Sequence, residues 1–441
     1  MKKYALVPKE ISNTGIRVWI GAFCETADEG RPPDGELRVA GMVLPVTWPP
    51  FDDAALESVR GRIFKQEIDV PIAARRAEAA LFIDGNLQAS ATLGTLRSLP
   101  AAGEKPLTIL LGSCYGSGRD RHQGAASVFA EMCARGQDPD LKFLCGDQVY
   151  LDTPAFYSWF RHAPGALAEK FLGTYLRSWS DQGLLPLLRH GATYLSMDDH
   201  EIWNEYPNGR GRSGRTVDWE RSALAFFRFF QGSGGSREIR IPPVSFFVLD
   251  TRSNRTESKE RFVSADQLLA LGRWVKALTG PGVLVLTEPV FGETRTFGSS
   301  ISRLIGAADS LRDYAQYREL AELLSGSEHT IVVLCGDVHW GRIAECTLAT
   351  GARLIEVVSS PLCLVDIGIS RWFRPWTPAP TPFQGGIGPW PKVETVPYRV
   401  TQNHFVSLEL SRADGGRVGM AVRLWRVGAN PGGEIVYSTI L

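Results

Sequence analysis

The sequence has no excess of charge and no long apolar run, and each absence excludes a class of protein. Its 48 Lys and Arg residues balance 48 Asp and Glu residues, so the formal net charge is zero. A protein that binds nucleic acid non-specifically normally shows a basic field, so we expect no such partner. No stretch approaches the roughly 20 apolar residues that span a bilayer, and no membrane span is expected.

Signals for export and for disulfide bonding are also lacking. Lys2 and Lys3 begin the chain, but no apolar segment follows them, which is not typical of a signal peptide. The seven cysteines are odd in number and scattered over 441 residues. That usage favours free thiols and a reducing compartment over a disulfide framework. We therefore expect a cytoplasmic location.

The first hundred residues have the pattern of a small β domain. Short strand candidates alternate with Pro- and Gly-rich turns, as in a β-sandwich: 16–23, 36–43, 64–70, 79–83 and 87–93. The segment 98–106 is a plausible linker. We predict an N-terminal β-sandwich of immunoglobulin or fibronectin type over residues 1–102 and a second domain over residues 103–441.

From residue 107 onward, predicted strands alternate with predicted helices, a pattern typical of an α/β fold. The strands are predicted at 107–111, 141–145, 192–197, 244–249, 283–286 and 331–335, with tail strands at 354–358, 405–410, 418–425 and 435–441. The helices are predicted at 125–135, 156–161, 167–179, 218–230, 264–278 and 309–324. Ser264 and Gln267 have the spacing of a capping box at the start of one helix.

One phrase of sequence occurs twice. LKFLCGDQVYLD at 141–152 and TIVVLCGDVHW at 330–340 both contain an apolar run that stops at Gly-Asp. A short apolar run bounded by glycine is typical of a buried strand, and open α/β folds bind ligands at the carboxyl edge of the sheet. We expect two parallel strands to deliver Asp147 and Asp337 to one place, which we interpret as a metal site.

Other predicted strand ends carry further side chains that can bind metal. They are Cys114, Tyr150, Asp198, Asp199, His200, Asn204, Asp250 and His339. Metal ions need several donors from different strands, and a carboxylate can bridge two ions. Each residue also has a plainer interpretation, since Cys114 could be a structural thiol, Asp147 and Asp337 strand-end caps, Tyr150 a packed aromatic and His339 a buried histidine.

Five phrases, GSC, GDQVYLD, DDHEIWN, LDTR and GDVHW, occur in that order. The order resembles the PhoD-like alkaline phosphatases (alkaline phosphatase D), a branch of the calcineurin-like metallophosphoesterase superfamily. The resemblance covers the whole chain in outline. It implies an α/β fold in which a metallophosphoesterase-type two-sheet sandwich, flanked by helices, follows the small N-terminal β-sandwich. Residues 103–441 would then form the catalytic domain, with a metal cluster at the strand ends.

The resemblance also implies two sets of metal ligands: Cys114, Asp147, Tyr150 and His339 for one ion, and Asp147, Asn204 and Asp337 for the other. The ligand types fit that division. Thiolate, phenolate and imidazole suit a redox-capable transition metal, most simply Fe3+, whereas carboxylate and amide oxygens suit Ca2+, Mg2+ or Mn2+. Because a free phenol has a pKa near ~10, a ligating Tyr150 requires a strongly Lewis-acidic ion.

The implied activity is that of a metal-dependent phosphoric ester hydrolase acting on a small-molecule phosphate ester. A metal-bound hydroxide would attack phosphorus in line, since coordination can lower the pKa of water from ~15.7 to ~7. The expected catalytic residues are His200, as proton donor to the leaving alkoxide, together with Asp199 and Arg252. Arg252 would clamp phosphate oxygens, or it could pair with Asp250 or a neighbouring acid. One of Asp198 and Asp199 could serve only to orient His200.

Two features depart from the family pattern or extend it. The middle strand ends in Glu288-Pro289, where the wider superfamily usually supplies a histidine, so a contribution of Glu288 to the second ion stays open. The loop 208–215 carries Arg210, Arg212 and Arg215, which could bind a second phosphate or simply be solvated.

The sequence is also compatible with two rival functions. One is a phosphodiesterase acting on nucleotide or lipid head-group diesters, in line with the arginine loop and the Trp- and Pro-rich segment 371–382. The other is a non-catalytic, metal-binding interaction protein that uses its β-sandwich.

Overall fold

A computed structural model describes residues 2–12, 14–120, 123–153, 164–207, 214–232, 234–291, 310–364, 389–390, 392–428 and 432–441. The predicted helix 156–161, the side chains of Arg210, Arg212 and Arg215, and the segment 371–382 lie outside the described residues.

The described chain contains more strand than helix. Its strands are β1 Lys3–Ile11, β2 Ile16–Phe23, β3 Gly35–Val39, β4 Met42–Val46, β5 Ile63–Val70, β6 Arg76–Ile83, β7 Asn86–Gly94, β8 Leu107–Gly112, β9 Leu141–Cys145, β10 Ala192–Ser196, β11 Arg237–Ile241, β12 Val244–Val248, β13 Gly282–Val285, β14 Ile331–Cys335, β15 Gly341–Thr347, β16 Arg353–Val358, β17 Val393–Val400, β18 His404–Arg412, β19 Val418–Arg426 and β20 Gly432–Ile440. Its helices are α1 Gly124–Ala134, α2 Pro164–Trp179, α3 Leu185–Leu188, α4 Gly214–Phe230, α5 Ala265–Lys276 and α6 Tyr317–Ser325. Within the described ranges, none of these helices is long and apolar enough to cross a membrane.

The N-terminal part forms two small antiparallel sheets, with strand orders β1-β2-β5 and β4-β3-β6-β7. The predicted strand 36–43 was wrong in one respect, because it contains a hairpin turn between β3 and β4. Ala40 and Gly41 adopt φ values of 48° and 82° at that turn, and two positive φ values in sequence are what a type I′ hairpin turn requires. Ala40 lacks the Asn or Gly signal that normally marks such a turn.

Two large sheets make up the rest of the fold, and they confirm the expected α/β class. One has the order β10-β9-β8-β18-β19-β20, and the other has the order β11-β12-β13-β14-β16-β15-β17. β8, β9 and β10 are parallel neighbours, as are β12, β13, β14 and β16. The parallel strands β9 and β14 are buried along their whole length, as expected for strands covered on both faces.

The two strands that share the repeated phrase are not neighbours. β9 lies in the six-stranded sheet and β14 in the seven-stranded sheet. The carboxylates of Asp147 and Asp337 lie within 4.8 Å of each other, although each strand is parallel to partners in its own sheet. The carboxylates meet because the two sheets approach each other at this edge.

Helix prediction was accurate where local capping decides the boundary. Ser264 Oγ accepts a hydrogen bond from the N–H of Gln267 at 3.2 Å, and Gln267 Oε1 accepts one from the N–H of Ser264 at 2.9 Å, which confirms the capping box of α5. The predicted helix 309–324 is in fact a short 3-10 turn, Leu311–Asp313, followed by α6. Strands β1, β11, β15 and β17 were not predicted.

The N-terminal sheets share a core with the larger sheets. Trp19 Nε1 donates to the carbonyl of Phe229 in α4 at 2.9 Å, and the N–H of Ile11 donates to Tyr194 OH in β10 at 3.0 Å. Leu6 and Val18 belong to the same buried apolar cluster as residues of β8, β9 and β13. A domain boundary after residue 102 stays a prediction.

Candidate metal centre

Four candidate ligands have an unusual backbone conformation at the edge where the two large sheets meet. Cys114, Asp147, Asp337 and His339 adopt φ values of 59°, 60°, 64° and 58°. The left-handed conformation costs a non-glycine residue about 1–3 kcal/mol, and such residues concentrate at functional sites. Cys114, Asp147 and Asp337 each lie two residues after a buried strand, and His339 lies two residues further along the loop after β14, so the strand ends turn sharply towards a common point.

The glycines of the two Gly-Asp phrases allow that convergence. A Cβ atom added to Gly146 would lie 2.2 Å from Asp198 Cβ, and one added to Gly336 would lie 2.2 Å from Ser113 Oγ. Gly146 also has a φ of 84°. Glycine is therefore required because the backbones of different strand ends approach too closely for any side chain.

Asp147 lies at the centre of the first group of candidate ligands. Its Oδ2 is 3.6 Å from Cys114 Sγ and 3.3 Å from Tyr150 OH. The donor atoms of Cys114, Asp147 and His339 all lie within 4.8 Å of one another. These separations fit donors that share one ion through bonds of about 2.0–2.3 Å.

A second group consists of carboxylates alone. Asp147, Asp198, Asp199 and Asp337 each offer an oxygen within 4.8 Å of the others. Burial raises the pKa of Asp147 and Asp337 well above the usual range, and nearby carboxylates raise it further. Asp198 Oδ2 is buried and has no hydrogen-bond partner among the described residues. A cation would satisfy this group, since several buried carboxylates cannot otherwise ionise together.

The protonation state of His339 fits a metal ligand, whereas Cys114 would become a ligand only when an ion binds. Burial raises the pKa of the Cys114 thiol well above its usual value, and the charges of Asp147 and Asp337 act in the same direction. Burial lowers the pKa of His339 to about 4, so its imidazole is neutral and can act as a ligand. A bound cation would reverse the first effect and favour the thiolate.

Glu201 holds the two loops that carry these groups, and sequence reasoning did not single it out. It is fully buried, and its carboxylate accepts hydrogen bonds from the N–H groups of Asp147 at 2.9 Å, Gln148 at 2.7 Å, Val149 at 3.2 Å and Asp198 at 2.9 Å. The only sequence signal was its place in the phrase DDHEIWN, next to the candidate proton donor His200.

His200 is oriented by Asp152, a residue of the phrase GDQVYLD that was not predicted to act. His200 Nδ1 lies 2.8 Å from Asp152 Oδ1, and the His200 ring packs on Tyr150 with centroids 4.3 Å apart. Asp152 Oδ2 accepts the N–H of Asn204 at 2.8 Å, and the Asn204 side chain is exposed. Asp199 accepts the N–H of Glu205 at 2.6 Å.

Arg252 is buried in an ion-pair network beside the carboxylates. It is 2% exposed, and its Nε donates to Asp198 Oδ1 at 2.5 Å. Its other nitrogens donate to Glu288 Oε1 at 2.5 Å and to the carbonyl of Tyr206 at 3.1 Å. Its donors therefore have protein acceptors, which favours the pairing interpretation over a phosphate clamp.

Glu288 and Asp250 are also satisfied by the protein. Glu288 accepts from Arg252, from Arg255 at 2.5 Å and from the N–H of Leu311 at 3.1 Å. Asp250 accepts the N–H of Arg252 at 2.9 Å and that of Ser253 at 3.0 Å, so it caps its own loop. Neither carboxylate belongs to the groups that could hold a metal among the described residues.

No protein-family model matches the sequence, and no curated protein matches it either. A glycosyl hydrolase family 2 member from Bacteroides cellulosilyticus DSM 14838 aligns with a TM-score of 0.24 and 9% identity, over 100% of this chain and 63% of that chain, which is too low to carry an argument. The solved structure described as "Structure of PhoD" aligns with a TM-score of 0.65 and 15% identity, over 99% of this chain and 92% of that chain. The chain therefore has the same overall fold as PhoD.

Proposed function

We propose that this chain is a metal-dependent phosphoric ester hydrolase. The observation that carries the proposal is the position of Asp147, whose carboxylate belongs both to the group with Cys114 and His339 and to the all-carboxylate group. A carboxylate between two sets of ligands is the arrangement that bridges two ions. The likeness to PhoD in fold supports the same function.

The proposed ligands divide as their chemistry suggests. Fe3+ would be held by thiolate, carboxylate, phenolate and imidazole donors. These come from Cys114, Asp147, Tyr150 and His339. Asp147 and Asp337 would hold Ca2+, Mg2+ or Mn2+, and the proximity of Asp198 and Asp199 adds to the negative charge at that position. Asn204, in the turn held by Asp152, remains a proposed ligand of the second ion.

When bound, the two ions would supply an activated water and positive charge for the phosphoryl oxygens. His200 is the proposed proton donor to the leaving oxygen. Asp152 engages its Nδ1, which leaves Nε2 as the nitrogen that can hold a transferable proton. Burial lowers the pKa of His200, but Asp199, Asp152 and Asp147 outweigh burial and hold the pKa above its usual value.

The proposal is tested by assaying hydrolysis of p-nitrophenyl phosphate, a monoester, and bis(p-nitrophenyl) phosphate, a diester. The wild-type chain should hydrolyse at least one of them, lose activity to a chelator and regain it with added metal. Asp147→Asn should be inactive. Asp250→Asn is the matched control, because Asp250 is also a strand-end carboxylate but lies outside both ligand groups.

The outcomes separate the candidate functions. Turnover of the diester alone would favour a phosphodiesterase. Bound metal with no turnover of either ester would contradict the proposal and favour a non-catalytic metal-binding protein.

A further inference from the structure

The segment that follows β16 packs across the Cys114 loop and connects the two large sheets. The N–H of Leu362 donates to the carbonyl of Ser113 at 2.7 Å, and the N–H of Cys363 donates to the carbonyl of Cys114 at 3.3 Å. This segment begins with Ser359 and Ser360, which are both fully buried. None of the five phrases that suggested a metal site includes it.

The hydroxyl of Ser360 lies between two candidate ligands of the same ion. Ser360 Oγ donates to Cys114 Sγ at 3.2 Å, and it accepts the backbone N–H of His339 at 3.1 Å. Because the oxygen accepts from His339, its own proton is free to be directed at the sulfur, and hydrogen bonds in series strengthen one another.

The other groups near Cys114 Sγ are poorer donors to a thiolate than Ser360. Ser113 Oγ lies 3.4 Å from the sulfur, but it donates to the carbonyl of Ser359 at 3.3 Å. The carbonyl of Asp337, at 3.4 Å, and Asp147 Oδ2, at 3.6 Å, are acceptors. Among the hydrogen bonds described at this sulfur, Ser360 therefore makes the shortest contact from a hydroxyl donor, and no second acceptor for its proton is described, whereas Ser113 also donates to a carbonyl.

We infer that Ser360 is a positioning residue of the proposed metal centre, which fixes the Cys114 sulfur relative to the His339 loop and lowers the electron donation of the thiolate to a bound ion. The inference rests on the proposed function, because it presupposes that Cys114 binds metal. Groups that hydrogen-bond to metal ligands orient them and tune the metal, and their loss typically lowers metal affinity by about 10- to 100-fold.

The test uses the full chain, freed of metal and titrated with Co2+, because a cobalt–thiolate charge-transfer band reports sulfur ligation directly. Cys114→Ser identifies the band by removing it. Ser360→Ala should weaken Co2+ binding about 10- to 100-fold and move the band to longer wavelength, since a thiolate without its hydrogen bond donates electrons more readily. Ser359→Ala is the matched control: its hydroxyl has no hydrogen-bond partner among the described residues, and it should leave both quantities unchanged.

A second pair of variants separates the hydroxyl from the volume of the side chain. Ser360→Thr and Ser360→Val have nearly the same shape, but only threonine keeps the hydroxyl. Threonine should therefore retain the wild-type band position and affinity, and valine should show the weaker binding and the longer-wavelength band expected of Ser360→Ala. This pair also serves if Ser360→Ala does not fold. Equal bands and affinities in the threonine and valine variants, or in the alanine variant and the wild type, would overturn the role of Ser360. A wild-type chain with no cobalt–thiolate band would instead contradict the proposed metal centre itself.

Discussion

At the scale of single residues, the Glu201 carboxylate is the group that fixes the two ligand-bearing loops in relation to each other. Each of its oxygens accepts two backbone N–H groups. Glu201→Gln would place an amide NH2 against two of these donors. We expect the free energy of unfolding, measured by urea denaturation, to fall by roughly 2–6 kcal/mol, since each of the two buried donors left unsatisfied costs about 1–3 kcal/mol.

The matched control is Glu131→Gln on the surface of α1. Glu131 and Arg135 form an ion pair with side chains 44% and 43% exposed, and such a pair contributes at most about 0.5 kcal/mol. A Glu201→Gln variant no less stable than this control would show that Glu201 does not hold the loops.

Asp152 has a separable role, because it touches the proposed proton donor and belongs to neither ligand group. Asp152→Asn should lower kcat by about 10- to 100-fold, a part of the ~100- to 10,000-fold that a general acid contributes. Metal content should not change, because the amide oxygen of the variant can still accept the N–H of Asn204, a proposed ligand of the second ion. Steady-state kinetics with metal analysis of the same preparation measures both, and loss of metal in this variant would contradict a role confined to His200.

Single residues also show where sequence reasoning stops. Cys114, Asp147 and His339 were predicted as metal ligands from their positions after strands, because strand ends meet at one edge. Asp152 was not predicted as the partner of His200, although it belongs to the phrase GDQVYLD. Side-chain pairing depends on how two loops lie against each other, and neither loop encodes that alone. The same limit applies to Arg252, whose acceptors come from two separate segments, one between β10 and α4 and one after β13.

At the scale of elements, the close approach of strand ends from opposite sheets is what assembles the site. Gly336→Ala would place a Cβ atom 2.2 Å from Ser113 Oγ and 2.4 Å from Ser113 Cβ. We expect the free energy of unfolding to fall by about 1–3 kcal/mol, the usual range for overpacking, and metal affinity to fall with it.

The control for this substitution is Gly173→Ala in α2. An added Cβ there meets nothing within 4 Å, so the variant should gain up to about 1 kcal/mol from helix propensity. Denaturant unfolding of both variants tests the argument. If Gly336→Ala matches the wild type in stability and in metal binding, the close approach of Gly336 to Ser113 is not required to assemble the site.

Elements with a strong local pattern were predicted well, and those that depend on tertiary context were not. The buried strand β9 and the capped helix α5 follow from apolar runs and a capping box. The sheet that each of β9 and β14 joins was not predicted, because similar local phrases say nothing about which sheet a strand joins. β15 and β17 mix polar and apolar residues, and they pair with each other although they are distant in sequence.

At the scale of the whole molecule, Lys9 in β1 links the N-terminal sheets to α4. Its Nζ donates to the carbonyl of Phe230 at 3.0 Å and lies 5.4 Å from the centroid of the Trp19 ring. Burial is the main cause that lowers the pKa of Lys9 from 10.5 to about 7; nearby Lys65 and Arg237 also lower it, while Glu67 and Glu10 oppose them.

The pH dependence of stability follows from that pKa. Between pH 7 and pH 10.5 the unfolded chain keeps the Lys9 proton that the folded chain has lost, so folding becomes more favourable as pH rises. The slope is at most about 1.4 kcal/mol per pH unit, and the contribution is constant below pH 7. Urea unfolding of the wild type and of Lys9→Met across this range should show the wild type gaining free energy of unfolding relative to the variant as pH rises. A constant difference would contradict the shift.

The family resemblance predicted the overall architecture better than it predicted single contacts. The order of two β-sheets before an α/β core follows the expected architecture, and the fold aligns with PhoD over nearly the whole chain. The shared core of the N-terminal and larger sheets was not predicted, because periodicity in a strand shows that one face is buried but not against what. We expect the two parts to unfold in one cooperative transition.

Metal stoichiometry is the measurement that tests the central claim most directly. The account predicts that the purified chain, supplied with iron and calcium, binds two ions. Asp147→Asn should lose both, whereas Cys114→Ser should lose one and Asp250→Asn none. Loss of two ions through one substitution is the signature of a bridging carboxylate. A wild-type chain that binds no metal, or an Asp147→Asn variant that keeps both ions, would contradict the account.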